Sequence, residues 1–93
     1  MARYLVLRTF TNGLNISTDE RGAEECLKVI SNNTLDEVTW IRSFVTCDRK
    51  KSFCLYDAPS PEALRRAARR NNLPVDLIIE VSVLEPYFFI YHQ

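Results

Sequence analysis

Glycine and histidine are scarce in this chain, which holds two glycines and one histidine among its 93 residues. Gly13 and Gly22 lie too far apart to form a glycine-rich loop around a phosphate. The single histidine, His92, stands one residue from the end of the chain. It forms no recognisable nucleophile and base pair with the other candidate groups, which are Cys54, Tyr56, Asp57 and Glu80. The pattern favours a binding protein over an enzyme.

Charge of one sign is also lacking, because twelve Lys and Arg residues balance twelve Asp and Glu residues. No overall field draws the protein to nucleic acid or to an anionic membrane surface. The apolar run at residues 4–7 is far shorter than a signal-peptide core or the ~20 residues of a membrane span. We therefore expect a cytoplasmic protein with no nucleic-acid and no membrane partner. In that compartment the three cysteines, which include no CxxC pair, are expected to be free thiols.

Residues 38–58 carry the clearest structural signal, that of a β-hairpin. Two runs rich in β-branched and aromatic residues flank the polar tetrad 48–51, which predicts two strands and a tight loop. With the tetrad as the loop, Cys47 lies opposite Ser52, and alternation divides the side chains between two faces. One face then carries Val38, Trp40, Arg42, Phe44, Phe53 and Leu55, and the other carries Ile41, Ser43, Val45, Cys54 and Tyr56. Because both faces are apolar, both should be covered.

The elements on either side of the hairpin complete a familiar order. Alternation predicts strands at residues 3–10 and 76–84. A capping box of Ser17 and Glu20 predicts a helix, whose apolar stripe is Ala23, Cys26, Leu27 and Ile30. Ser60 as N-cap and Pro61 at the first helical position predict a second helix that ends at residues 71–74. The order β-α-β-β-α-β predicts one α+β domain over residues 1–93, a ferredoxin-like four-stranded antiparallel sheet with two helices on one face.

Two helices leave the other face of such a sheet uncovered. We assign to that face Leu5, Leu7, Trp40, Arg42, Phe44, Glu80 and Leu84. This surface is too apolar to face water, so we expect it to pair with the same face of a second chain, as a homodimer with a cavity between the sheets. The segment 85–93 holds four aromatic residues and is also expected to pack on the partner subunit.

Arg42 is the charged residue of this predicted cavity. It either pairs with an acid such as Glu80 or Asp57, or it binds an anionic ligand. In the second case the cavity is a pocket with aromatic walls for a small aromatic or carboxylated molecule. The predicted ligand-binding residues are Trp40, Arg42, Phe44, Tyr56 and Glu80.

Short motifs along nearly the whole chain carry a family resemblance. They are residues 4–6, 8–10, 40–46, 53–59 and 62–65, Leu73-Pro74 and Glu85-Pro86. Together they resemble a small bacterial family that is usually described as a domain of unknown function. The family is known for nickel-binding-type members that form dimeric α+β barrels. The resemblance implies a homodimeric protein that holds a small ligand, or a divalent metal such as nickel, in the cavity between its sheets.

The metal positions implied by the resemblance are altered in this chain. Metal-competent relatives have Glu, His and His at the positions of Leu7, Arg42 and Ala67. Leu and Ala cannot ligate a metal, and the permanent charge of Arg42 repels a cation. Cys54 and His92 remain as candidate metal ligands, and no cofactor is certain.

Two other functions occur on related folds. A cofactor-independent monooxygenase- or isomerase-like enzyme is an alternative, since other dimeric α+β barrels host that chemistry, and it rests on fold analogy alone. An RNA-recognition module has the same strand order. Here the third strand, residues 51–56, lacks the glycine and most of the aromatic spacing of the RNA-binding motif. RNA binding is therefore disfavoured.

Overall fold

The computed structural model describes residues 1–16 and 19–91 and confirms the predicted ferredoxin-like fold. Its elements are β1 (Ala2–Thr9), α1 (Glu20–Thr34), β2 (Thr39–Val45), β3 (Lys51–Ala58), α2 (Pro61–Asn71), β4 (Leu77–Val81) and α3 (Pro86–Tyr91). The four strands form one antiparallel sheet in the order β2-β3-β1-β4. The short helix α3 lies in the segment that the sequence marked only as an aromatic tail. No helix of the described ranges has the length and apolarity needed to cross a membrane.

The core lies between the sheet and α2. On this helix side, alternate residues of β1 and β3 are buried, including Tyr4, Val6, Cys54 and Tyr56. Ala63, Ala67 and Leu64 of α2 are buried against them, and the small alanines let the helix backbone approach the sheet. The opposite side of the sheet, here called the open face, carries the intervening residues. Its members are Leu5, Leu7, Arg42, Phe44, Phe53, Leu55, Leu77 and Ile79.

The hairpin loop begins one residue earlier than predicted. The Thr46 amide donates to the Lys51 carbonyl at 2.9 Å, so the loop is residues 47–50, with Arg49 in the left-handed region at φ 61°. Asp48 holds the turn by accepting from the Thr46 hydroxyl at 2.6 Å and from the Lys50 amide at 3.0 Å. The predicted pairing of Cys47 with Ser52 is wrong, because Val45 is the residue opposite Ser52.

A bulge in β2 corrects the predicted face of Trp40. Trp40 pairs with Tyr56 and Arg42 pairs with the next residue, Leu55, so Ile41 is an extra residue on the β2 side. One extra residue reverses which side of the sheet the preceding side chains occupy. Trp40 therefore packs against the core on the helix side, and Val38 is buried there. Strict alternation had placed both on the open face.

Helix α1 is turned relative to the predicted stripe. Its N-cap is Asp19, whose carboxylate accepts from the Arg21 amide at 3.0 Å, while the predicted cap Ser17 lies outside the described residues. The side that packs inward is Gly22, Cys26, Val29 and Asn33, which follows the period of the helix. The predicted stripe members Ala23, Leu27 and Ile30 are exposed, and Cys26 alone of that stripe is partly buried.

Hydrogen bonds between polar residues explain this orientation of α1. Asn71 of α2 donates from Nδ2 to Asn33 Oδ1 at 2.9 Å and accepts at Oδ1 from Asn32 Nδ2 at 2.9 Å. The buried Asn33 thus obtains a partner that no apolar stripe supplies. A stripe defined by apolar residues alone does not include these asparagines.

Helix α2 follows its sequence signals closely. Ser60 is the N-cap and accepts from the Ala63 amide at 3.2 Å, with Pro61 at the first helical position. The helix ends at Asn72, which adopts the left-handed conformation at φ 54°. Strand β4 is shorter than predicted, since it ends at Val81 and leaves Leu84 outside the sheet.

Candidate functional site

A cavity of about 110 Å³ lies between the sheet, the loop after β1 and helix α1. Its apolar lining residues are Phe10, Leu14, Ile16, Val29, Val45 and Leu73. The sheet contributes the groups with polar atoms, which are Arg8, Trp40, Ser43, Ser52, Cys54 and Tyr56. The surface that faces the cavity is almost wholly apolar, because the polar atoms of these sheet residues lie beneath it.

Arg8 is the charged group of this wall. It stands in β1 on the same side as Tyr4 and Val6 and is only 4% exposed. Its Nη1 donates to the Pro74 carbonyl at 2.7 Å, and its Nη2 donates to the Tyr56 hydroxyl at 3.0 Å. Within the described part of the chain its Nε has no hydrogen-bond partner and its guanidinium forms no salt bridge. In the described structure, the positive charge of Arg8 is therefore buried, and its hydrogen bonds go to neutral acceptors alone.

Tyr56 and Trp40 form the aromatic part of the wall. Burial raises the pKa of the Tyr56 phenol, partly against the effect of the nearby Arg8 charge, so the phenol stays protonated at neutral pH. The centroid of its ring lies 5.9 Å from the Arg8 guanidinium carbon. The Trp40 indole Nε1 donates to the Ser43 hydroxyl at 2.8 Å, which orients the ring beside the cavity. The aromatic wall is thus held in place by hydrogen bonds.

The five predicted ligand-binding residues do not come together. Trp40 and Tyr56 line the cavity on the helix side. Arg42 and Phe44 are exposed on the open face, where they pair with Leu55 and Phe53. Glu80 lies opposite Tyr4 and so belongs to the helix side of the sheet, at its exposed edge. Its predicted place on the open face is wrong, because that face of β4 carries Leu77, Ile79 and Val81.

The ion pairs predicted for Arg42 are not formed among the described residues. Asp57 accepts instead from Arg3 Nε at 3.0 Å, and Glu80 is on the other side of the sheet. Arg42 is exposed to water, which solvates its charge.

Arg8 is not among the site residues predicted from the sequence, although its position in β1 indicated a buried charge. It interrupts the alternation of Tyr4, Val6 and Phe10, which marks a buried face of a strand. An arginine on such a face needs a partner or a ligand.

The cavity does not fit a divalent metal ion. Cys54 is its single lining residue with a soft or anionic ligand atom, its sulfur lies 3.4 Å from the Ser52 hydroxyl, and the guanidinium of Arg8 shares the same wall. The positions of Leu7 and Arg42 are on the open face, whereas Ala67 is buried on the helix side. Across the described ranges no group of three or more metal-binding side chains occurs, and the candidate ligand His92 lies outside them.

Comparisons with known proteins identify relatives of the chain. A family model described as "Nickel responsive protein SCO4226-like" matches residues 4–81. The crystal structure of SCO4226 from Streptomyces coelicolor A3(2) superposes with a TM-score of 0.69 over 90% of this chain and 100% of that chain, at 19% sequence identity. At that identity the likeness shows the shared fold. No curated protein matches the chain.

Proposed function

The chain belongs to the SCO4226-like family of nickel responsive proteins, and we propose that it is a homodimeric member that binds a small organic molecule. The single observation that carries the proposal is the apolar cavity between the sheet and α1, with Trp40 and Tyr56 on its wall. The proposed ligand site lies beneath α1 and not between two sheets. The residues expected to contact the ligand are Arg8, Val29, Trp40 and Tyr56.

Nickel is not the proposed ligand of this cavity. The lining offers one thiol beside a permanent positive charge, and a divalent cation needs several neutral or anionic donors. The name of the family describes a response to nickel, and in this chain the donors for a direct contact are not assembled among the described residues.

Catalysis is a weaker proposal than binding. The described lining of the cavity contains no carboxylate and no imidazole that would serve as a base. The raised pKa of Tyr56 keeps its phenol in the protonated form, which donates a hydrogen bond but does not abstract a proton. The site is therefore suited to holding a molecule.

A second copy of this chain is proposed as the cover of the open face. Phe44, Leu77 and Ile79 are exposed there beside partly buried Leu5 and Leu55, an apolar surface of the kind that marks an interface. The Arg3–Asp57 ion pair neutralises the charge at one end of this face. The exposed helix α3 is proposed to pack on the partner subunit as well.

Binding of benzene tests the cavity directly. Apolar cavities of about 150 Å³ bind benzene, and the one tryptophan of the chain, Trp40, reports occupancy by its fluorescence. A ligand at 100 times its Kd stabilises a protein by about 2.7 kcal/mol, which raises the Tm of a domain of this size by roughly 10 to 20 °C. We expect benzene to change the Trp40 emission and to raise the Tm of the wild-type protein.

A cavity-filling variant supplies the control for this test. Val29→Phe places a larger side chain in the cavity and is expected to abolish both responses. The matched variant Leu84→Phe, at an exposed position away from the cavity, should respond as the wild type does. An unresponsive wild-type protein, or an unchanged response in Val29→Phe, would contradict the proposed site.

A further inference from the structure

We propose that the ligand is an unbranched aliphatic molecule with an uncharged polar end group, held along the inner side of helix α1. The inference rests on the proposed function, since it names the shape and chemical class of the molecule that the cavity binds. The apolar end of this molecule would fill the cavity described above. Its polar end would lie at the surface of the protein, beside Asn15 and Glu25.

The first argument is a second hollow that adjoins the cavity. It has a volume of about 160 Å³ and is here called the outer hollow. Five of its lining residues also line the cavity, and these are Leu14, Ile16, Val29, Trp40 and Leu73. A residue that lines two hollows places them no farther apart than the width of its side chain. The two hollows are therefore expected to hold one elongated molecule.

The second argument is the direction in which the two hollows follow one another. The cavity reaches Cys54 and Tyr56 of β3, whereas the outer hollow reaches Glu25 and Cys26 of α1. Val29 lines both hollows and follows Cys26 by three residues, which is about 4.5 Å along the helix axis. The outer end is open to water, since Glu25 is exposed and Cys26 is partly buried. The site therefore runs from the sheet to the surface beside the N-terminal half of α1.

The third argument is the change in polarity from one end of the site to the other. A polar group inside the cavity would lose its water without a replacement, because the surface there is almost wholly apolar. At the outer end, the Asn15 amide can donate and accept a hydrogen bond, and the Glu25 carboxylate can accept one. An apolar chain with a hydroxyl at its end matches both environments.

The charges around the outer end favour an uncharged end group. A carboxylate there would be repelled by Glu25, which is the single charged residue in the described lining of the outer hollow. A cation gains little, because Arg21 and Arg49 line the neighbouring depression together with Asp19 and Glu25. These two positive and two negative side chains balance, so they supply no net attraction for an ammonium group.

Titration with primary alcohols, followed by the fluorescence of Trp40, tests the inference. Trp40 lines both hollows and is the one tryptophan of the chain. Burial of each methylene tightens binding about fourfold, so 1-octanol should bind at least about tenfold tighter than 1-butanol even when only half of its additional methylenes are buried. Octanoate has the same chain length and should bind about fivefold more weakly than 1-octanol, because its charge would lie near that of Glu25.

A variant of the outer hollow supplies the specific control. Cys26→Phe fills the outer hollow and leaves the cavity free, since Cys26 does not line the cavity. It should lose the tighter binding of 1-octanol and keep the response to benzene. Leu27→Phe places the same side chain at the next position of α1, which is exposed, and should bind 1-octanol as the wild type does.

Four outcomes decide between the possibilities. If benzene binds but 1-octanol binds no tighter than 1-butanol, the inference fails while the proposed function stands. Tighter binding of 1-octanol that persists in Cys26→Phe places the chain elsewhere on the protein and overturns the inference. Octanoate that binds as tightly as 1-octanol overturns the uncharged end group. If no probe binds, the inference and the proposed function both fail.

A readout on the unmodified chain keeps the test valid should Cys26→Phe fail to fold. The ¹H–¹⁵N resonances of the Asn15 side-chain amide are expected to move on addition of 1-octanol and to stay in place with benzene. Asn12 is exposed in the same loop and lines neither hollow, so its side-chain resonances should not respond to either probe. Asn15 resonances that do not respond to 1-octanol would overturn the inference.

Discussion

At the scale of single residues, two buried charged side chains differ in whether an oppositely charged residue neutralises them. Asp36 is neutralised within the chain by two arginines of α2, and Arg8 is left with neutral acceptors in the described structure. The Asp36 pair joins the end of α1 to α2 and so supports the framework. The Arg8 guanidinium lies beneath the apolar lining of the cavity.

Asp36 gives a prediction for the acid limb of stability. Burial opposes its ionisation, but the hydrogen bonds and charges of Arg70 and Arg66 outweigh burial and hold its pKa below the usual range of an aspartate. A carboxyl whose folded pKa is depressed stabilises the protein above its unfolded pKa, and that contribution is lost as the pH falls through the folded value. We expect Asp36→Asn to be less stable than the wild type at neutral pH, by a difference that shrinks as the pH falls through the acid range.

Urea unfolding from neutral pH down to the acid limit measures this effect. Glu24→Gln, which removes an exposed carboxylate from α1, is the matched control and should track the wild type. A stability difference for Asp36→Asn that is independent of pH would contradict the assignment.

At the scale of elements, the bulge in β2 decides which residues enter the site. With Ile41 as an extra residue, Trp40 stands next to Tyr56 and lines the cavity, while Arg42 and Phe44 stay on the open face. If Ile41 were paired regularly instead, Trp40 would share the open face with Phe44, as strict alternation predicts. The position of Trp40 in the cavity wall therefore depends on the bulge at Ile41.

Deletion of Ile41 tests the role of the bulge. Removing this residue lets Trp40 pair with Tyr56 and Arg42 pair with Leu55 without an extra residue between them, so Val38 and Trp40 stay on the helix side. We expect the deletion variant to be about as stable in urea denaturation as Ile41→Ala, which keeps the count of residues. A deletion variant less stable than Ile41→Ala by about 2 kcal/mol or more, the cost of exposing a buried valine, would show that Val38 and Trp40 had turned away from the core and would contradict the assignment of Ile41 as the extra residue.

At the scale of the whole molecule, the two sides of the sheet differ in what covers them. The helix side holds the core and the cavity, and the open face presents Phe44, Leu77 and Ile79 to water in a single chain. Dimerisation through the open face would leave the cavity in each copy intact, so ligand binding and association would use separate surfaces. Because Trp40 lies on the helix side, replacing it disturbs the cavity and does not test the interface.

Phe44→Arg is the variant that tests the proposed dimer. A charge within the apolar open face should weaken association at least about 30-fold, as expected for the loss of about 2 kcal/mol or more at an interface hot spot. Sedimentation equilibrium measures the change. Leu27→Arg places the same charge at an exposed position of α1 and should leave the wild-type oligomeric state unchanged. A monomeric wild type, or a dimeric Phe44→Arg variant, would contradict the open face as interface.

Local signals in the sequence determined most of the fold. The cap of α2 at Ser60, its left-handed end at Asn72 and the order of strands and helices along the chain follow from short-range chemistry, because capping, turn and alternation patterns depend on neighbouring residues. They were sufficient to predict the ferredoxin-like sheet and its two helices. Of the residues of the cavity, alternation placed Cys54 and Tyr56 together on one face.

Only the tertiary structure decided the site itself. The bulge at Ile41, the rotation of α1 toward Asn71 and the hydrogen bonds of Arg8 arise from contacts between residues distant in sequence, and alternation along β1 gives only the face on which Arg8 lies. Arg8 is the clearest case, since its partners Tyr56 and Pro74 lie 48 and 66 positions away along the chain. Alternation predicts the side of the sheet on which a residue lies. Packing between elements distant in sequence determines whether a charged residue on that side is buried and whether a cavity remains beside it.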